Sequence, residues 1–245
     1  PLLEEVGVTD PVTGFADASD ANTLGSAMTQ MVLDFQSKGV DRVLFFGGGN
    51  LAPIFGTNLG TYNYYPRLGL SSFDSPLFIT RNSDLYQGTG LLEGSVSLSF
   101  RPSNDVEEDQ LPFPATFGES QCLAIYASGG LQLTTRSTAR AAFSWCSAIL
   151  FLNTTLDRVG NGPITPKIFG QAAGASLGSF QSPLTYATYF DTTRLAGSAV
   201  YRMTTFDTAC SCFRLATDPT LFNGVPEDVM GTTDTVEGSS AAEGT

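Results

Sequence analysis

The chain holds 245 residues, 42% hydrophobic and 11% aromatic, enough for one large domain or two small ones. Its 24 acidic and 12 basic residues leave a net charge of −12, which repels phosphate backbones and excludes broad nucleic-acid binding. With no His present, a Ser-His-Asp triad, a Cys-His dyad and His-ligated zinc are ruled out.

Lys occurs only at 38 and 167, and Ser, Thr and Gly are abundant, a usage typical of exported chains. The cysteines are Cys122, Cys146, Cys210 and Cys212. Four allow three disulfide pairings, and the paired C-x-x-C spacing of a zinc site is absent, so no metal is expected. The longest apolar runs, such as residues 148–152, are far too short to cross a bilayer.

In chain order, residues 1–19 are broken by Pro11 and Gly14. Asp20 is a candidate cap for a helix running to about Lys38. Its apolar stripe is Leu24, Met28, Met31 and Phe35, and Gly39 serves as the C-cap. Residues 40–46 predict a buried strand, turned sharply by Gly47-Gly48-Gly49-Asn50. Residues 51–62 predict a weak helix interrupted by Pro53 and Gly56. Residues 67–72 predict a strand, 76–81 a short helix and 92–100 a third strand. Strand, helix, strand, helix, strand at this spacing implies an α/β fold with a parallel sheet flanked by helices. In such sheets ligands sit beyond the carboxyl ends of the strands, which singles out the loops 46–51 and 71–74. Gly lets backbone N–H groups approach a ligand, and Ser supplies neutral donors and acceptors; ordinary turn chemistry has the same composition.

Residues 101–115, with Pro102, Pro112 and Pro114 among four carboxylates, predict a crossover. Helices are expected over 117–128, 137–159 and 166–175, the last capped by Thr165. Cys122 and Cys146 fall on apolar faces of the first two, and antiparallel packing would bring them to disulfide reach. Residues 186–190 and 199–205 predict paired strands. Cys210-Ser211-Cys212 closes the expected ordered part, as a tight hook or as two separate thiols. No basic residue follows Arg214, and residues 217–245 have the composition of a flexible acidic tail.

Three motifs need weighing. Gly47-Gly48-Gly49-Asn50-Leu51-Ala52 fits the dinucleotide pattern G-x-G-x-x-A, with Asp74 placed for a ribose, but Pro53 follows at once. Gly174-Ala175-Ser176-Leu177-Gly178 matches a nucleophile elbow, yet it follows a helix and has no His to serve it. Asn153-Thr154-Thr155 is a glycosylation sequon inside an expected helix. Asp74 and Glu93 are the nearest thing to a carboxylate pair, and nothing in their spacing requires one. No catalytic residue and no cofactor follow from the sequence.

A further reading comes from Phe35-Gln36-Ser37-Lys38-Gly39-Val40-Asp41-Arg42-Val43-Leu44-Phe45-Phe46, then Tyr65-Pro66-Arg67-Leu68-Gly69-Leu70-Ser71-Ser72. It continues in Cys122 and Cys146 with Ala148-Ile149-Leu150-Phe151-Leu152, and in Phe206-Asp207-Thr208-Ala209-Cys210-Ser211-Cys212-Phe213-Arg214. In this order, over about residues 20–216, the set resembles the extracellular solute-binding proteins of type I periplasmic-binding fold. The branch is that of the branched-chain-amino-acid-type ABC transporter receptors of actinobacteria.

The resemblance implies a Rossmann-like α/β architecture of two lobes joined by three hinge strands, closing on a small molecule such as an amino acid. It implies export, lipid anchoring and delivery of ligand to an ABC permease, with no enzymatic activity. Phe46, Gly47, Gly48, Gly49 and Asn50 match one ligand loop of the family's second lobe; Ser71, Ser72, Phe73 and Asp74 match the next. Amino-acid binders of the family carry an acidic residue near the Ser71 position to hold the ligand ammonium; here Asp74 is the one nearby. The family also has a first lobe ahead of the point where Pro1 stands. The implied organisation is a second lobe over 1–100, a crossover and helices packing on the first lobe over 101–185, returning strands over 186–216 and the tail over 217–245. The first lobe is then a further segment of the polypeptide, another chain, or a piece lost to proteolysis. Two other classes remain: a Rossmann-like nucleotide-binding enzyme using the glycine loop, and a ligand-free structural or assembly protein of the cell surface reusing the fold.

Overall fold

The computed structural model describes residues 2–17, 20–46, 51–86, 92–175, 180–191, 194, 197–227 and 229. The chain divides into two units, the first made of 1–97 with 205–212, the second of 98–204 with 213–245. It passes between them after Ser97, after Thr204 and after Cys212.

In the first unit, α1 (Leu2–Glu5) precedes the long helix α2 (Ala21–Ser37). Leu24, Met28, Val32 and Phe35 are its buried stripe, spaced for one face of a helix. Each fully buried side chain of this size contributes about 1.5–3 kcal/mol of transfer free energy. The helix ends as the sequence predicts. Gly39 adopts φ 68°, and the amides of Gly39 and Val40 reach back to the carbonyls of Gln36 and Phe35, which satisfies the last-turn acceptors. Strand β1 (Arg42–Leu44) and α3 (Leu51–Tyr62) follow. The expected interruption of α3 does not occur. Pro53 lies in the first turn, where its missing N–H had no partner to lose, and buried Phe55 and Leu59 hold the helix down. Helix α3 packs on α2, with the Phe35 and Phe55 rings 6.1 Å apart and Thr29 donating to Asn58 Oδ1 at 2.9 Å.

Strand β2 (Arg67–Ser71) pairs with β1 in parallel, Arg42 opposite Arg67 and Leu44 opposite Gly69. Val43, Leu68 and Leu70 point into the core, whereas Leu44 on the other face is exposed. The short helix α4 (Pro76–Arg81) and strand β3 (Val96–Ser99) complete the run.

The second unit carries α5 (Pro102–Asp105), α6 (Phe117–Ser128), α7 (Arg136–Val159) and α8 (Pro166–Gly174). Thr116, Thr135 and Thr165 cap the last three, each hydroxyl accepting an N–H three residues on. Cys122, Ala139, Phe143 and Cys146 form the buried seam of α6 and α7, and Cys122 and Cys146 are disulfide-bonded with Cα atoms 6.0 Å apart. Arg136 and Glu119 lie in the same interior, 2% and 1% exposed, joined Nε to Oε1 at 2.8 Å. From α7, Phe151 packs edge-on to Phe169 of α8 and to Phe180, and tilted against Phe190.

Strands β4 (Val200–Asp207), β5 (Cys212–Leu215) and β6 (Thr220–Leu221) come last, and the strand order is β1-β2-β3-β4-β5 with β6 on β4. The α/β fold with flanking helices is as the sequence predicts, with β1 and β2 paired in parallel, and the later strands make the sheet mixed, since β4 and β6 pair antiparallel, Val200 opposite Leu221. Only a turn, the short strand β5 and a short loop lie between β4 and β6, with no helix to carry the chain across the sheet as a parallel pairing ordinarily needs. The pairing expected between 186–190 and 199–205 is reduced to a bridge of Thr188 with Ser198, flanked by hydrogen bonds from Ala199 to Ala187 and from Tyr189 to Gly197. Nor does order end at Cys212: β5 starts there and β6 lies beyond it. Glu93, expected on a strand, sits exposed in a turn.

Candidate functional site

The two loops singled out from the sequence begin at the same end of two neighbouring strands. Because β1 and β2 are paired in parallel, both run out at one edge, and the Phe45 N–H still bonds Gly69 O at 3.3 Å as the chain leaves β1. Phe46 follows, 79% exposed. Gly47, Gly48, Gly49 and Asn50 lie outside the described residues.

At the end of β2, residues 72–74 form one 3₁₀ turn capped by Ser71. The Ser71 hydroxyl accepts from Phe73 N–H at 3.3 Å and donates to Asp74 Oδ2 at 2.9 Å, and Ser71 N–H donates to the same oxygen at 2.8 Å. This is a closed capping box, in which side chain and backbone satisfy each other reciprocally. Ser72 is buried, Asp74 is 1% exposed, and Phe73 stands out at 59%. Ser75 then takes a left-handed φ of 51°, and Pro76 starts α4.

The turn thus presents an aromatic ring outward and folds its carboxylate inward. Asp74 is engaged with the turn's own donors, and its Oδ1 is buried without a hydrogen-bond partner among the described residues. Burial raises its pKa above 3.8, against the lowering effect of the Ser71 backbone and hydroxyl bonds. An acid with a raised folded-state pKa stabilises the fold most below its unfolded value and loses that contribution as pH climbs through the folded value. Asp74→Asn keeps an acceptor for both Ser71 donors and removes the buried charge. Its stability relative to the parent protein is therefore expected to improve between about pH 4 and about pH 7, followed by urea unfolding. A difference that stays constant with pH would contradict this assignment.

On the outward face of β1 and β2 stand Leu44 at the end of one strand and Gly69 and Ser71 on the other, with Phe46 exposed two residues past the end of β1. A Cβ at Gly69 would run into the Leu44 side chain, so the glycine leaves room for Leu44 to lie across its neighbour. The edge is therefore apolar and aromatic, with no charged group of its own facing out from the described loops.

The second loop-borne motif fares differently. Residues 176–179 of the elbow-like sequence lie outside the described residues, and what precedes them is helix α8 rather than a strand. Asn153 of the sequon sits within α7, and Thr155 is buried, its hydroxyl donating to Phe151 O at 2.8 Å. Among the described residues no cluster of His, Cys, Asp or Glu is arranged to hold a metal, and no helix is long and apolar enough to cross a membrane.

No protein-family model matches the chain, and no curated protein does. Solved structures do. A branched-chain amino acid ABC transporter protein from Thermus thermophilus with bound valine is 14% identical with a TM-score of 0.51, over 80% of this chain and 50% of that one. An extracellular ligand-binding receptor from Rhodopseudomonas palustris is 14% identical with a TM-score of 0.46, over 77% of this chain and 51% of that one. An R. palustris ABC transporter solute-binding protein in complex with 4-hydroxybenzoate is 14% identical with a TM-score of 0.47, over 81% of this chain and 50% of that one. The chain spans about half the length of the structures it matches. On the first of these likenesses, the chain has the α/β fold of the type I periplasmic binding proteins, over about half of their extent.

Proposed function

We propose that this chain is part of an extracellular, non-enzymatic solute-binding receptor. It captures a small molecule, an amino acid or a compound of similar size, and presents it to an ABC permease. The observation that carries the reading is the shared edge of β1 and β2, where Phe46 and Phe73 stand exposed at the mouths of two adjacent loops in a fold whose solved relative holds valine. Phe46, Ser71 and Phe73 form one wall of the site, and Ser72, Gly47, Gly48, Gly49 and Asn50 are assigned to it from the sequence alone. Apolar burial against the two rings supplies most of the affinity, since neutral hydrogen bonds add only about 0.5–1.5 kcal/mol each. Asp74 shapes the loop rather than meeting the ligand ammonium.

The first lobe, as another segment or another chain, supplies the opposite wall. Two observations support that. Parallel sheets are ordinarily covered on both faces, whereas Leu44 of β1 and Phe46 just past its end are exposed. In the second unit, Ala141, Trp145, Ala148, Ile149 and Leu152 form an exposed apolar stripe along α7, with Trp145 71% exposed. Lipid anchoring outside the membrane accords with the receptor reading. The dinucleotide alternative loses its ribose partner, because Asp74 is folded into its own turn.

The test is a thermal-shift and calorimetric titration of the protein with amino acids, with small aromatic carboxylates and with NAD. One of the first two classes is expected to raise Tm, and Phe73→Ala to weaken that ligand about tenfold, the effect of losing ~1.4 kcal/mol of ring burial. Stabilisation by NAD alone, or an unchanged Kd in Phe73→Ala, would overturn the reading.

A further inference from the structure

The two disulfides of this chain are built for different tasks. Cys122–Cys146 is sealed in the seam of α6 and α7. Cys210–Cys212 lies in the turn joining β4 to β5, with Cα atoms 5.2 Å apart across one intervening residue, and Ser211 takes φ 53°. A loop this short loses little entropy on closure, so the bond adds little to the stability of the chain. The hairpin does not depend on it either. Ala216 N–H donates to Met203 O at 2.8 Å, Met203 N–H to Thr217 Oγ1 at 2.9 Å, and Arg202 Nε to Thr217 O at 2.9 Å, while Ala209 N–H closes the turn on Asp207 Oδ1 at 2.8 Å. The two halves of the pair also differ: Cys210 is exposed and Cys212 is buried.

We propose that Cys210-Ser211-Cys212 is a thiol–disulfide exchange site that reacts with solvent-borne thiols. The bond opens without unfolding anything, because the hydrogen bonds above keep the hairpin closed. It re-forms readily, because the same turn holds the freed sulfurs next to each other. The exposed partner is the one an incoming thiolate reaches. That thiolate bonds to Cys210 Sγ as the Cys210–Cys212 bond breaks, and the electron pair leaves on Cys212 Sγ, which takes up a proton. A second thiolate then attacks the incoming sulfur of the mixed disulfide and releases Cys210. The products are one disulfide of the two external thiols and a reduced Cys210/Cys212 pair, two electrons having passed to the protein. Run backwards, the same steps oxidise the pair at the expense of an external disulfide.

The experiment uses reduced glutathione on the folded protein at about pH 8, with alkylation of samples over time, intact mass and peptide mapping. Cys210 and Cys212 are expected to become alkylated at least ~100-fold faster than Cys122 and Cys146, with the circular dichroism spectrum unchanged. Oxidised glutathione supplies the second arm. Cys212→Ser is expected to retain a glutathione adduct on Cys210, whereas the reduced parent protein expels it through Cys212. Cys210→Ser, left with the buried sulfur alone, is expected to form its adduct about tenfold more slowly. Four cysteines reacting at one rate, a Cys210–Cys212 bond that resists glutathione while the protein is folded, or equal adduct rates in the two variants would each overturn the proposal.

Discussion

Arg136→Met is expected to lower folding stability by about 3–5 kcal/mol, read as a large fall in the urea midpoint with little change in slope. Arg136 is among the largest fully buried side chains of the protein. Its Nε meets Glu119 Oε1 at 2.8 Å, its Nη2 meets Pro112 O at 2.7 Å and Glu119 Oε2 at 3.3 Å, and its guanidinium lies 5.3 Å from the centre of the Phe113 ring. Glu119 Oε2 also accepts Ala115 N–H at 2.6 Å. Three stretches of chain, before α6, within α6 and at the start of α7, are thereby fastened to one charge pair. Removing the arginine leaves a carboxylate inside the protein with no counter-charge, and that desolvation cost outweighs the modest net worth of the pair itself. The double variant Arg136→Met/Glu119→Leu is accordingly expected to recover part of the loss. A single variant as stable as the parent, or a double variant worse than the single one, would show that the pair is not what holds these stretches together.

The second large effect belongs to the Cys122–Cys146 bond. It closes a loop of 24 residues' separation, for which chain entropy alone gives about 3.5 kcal/mol. Replacing both by Ala also hollows the seam around Ala139 and Phe143, which adds to the cost. The expected total is about 3–5 kcal/mol by denaturant unfolding, against about 1.5 kcal/mol for Cys210→Ala/Cys212→Ala, whose loop is minimal. Equal losses from the two double variants would contradict the division of labour between the bonds.

The contrast between what was legible in the sequence and what was not has a physical basis. Helices α3, α4 and α6 begin and end where the sequence places them, because Pro and Thr sit at their starts and an apolar stripe runs their length. The end of α2 was equally plain in Gly39. Local chemistry of that kind acts within a few residues. Strand pairing does not: β5 and β6 are four and two residues long, and whether such segments pair depends on partners far along the chain. The placing of the two candidate loops at one sheet edge was legible, since alternating strands and helices force parallel neighbours. The inward turn of Asp74 was less so. The spacing of Ser71 and Asp74 is that of a capping box, a local signal present in the sequence alongside the ligand role the resemblance implies for Asp74. The Glu119–Arg136 pair also left a trace. Glu119 is three residues from Cys122, and Arg136 is three from Ala139 and seven from Phe143, so both stand on the stripes that became buried. A charged residue in phase with an apolar face is itself a sign of a buried partner.

The division of the chain has a consequence for how it is made. The first unit takes its residues from 1–97 and from 205–212, where Phe206 N–H bonds Ser95 O at 3.1 Å. Translation at 5–20 residues per second puts about 5–20 s between the emergence of those two pieces. For that interval the nascent polypeptide carries a sheet rim awaiting its neighbour, so vectorial synthesis delivers the early part incomplete, and it is the later-emerging stretch 205–212 that allows it to close.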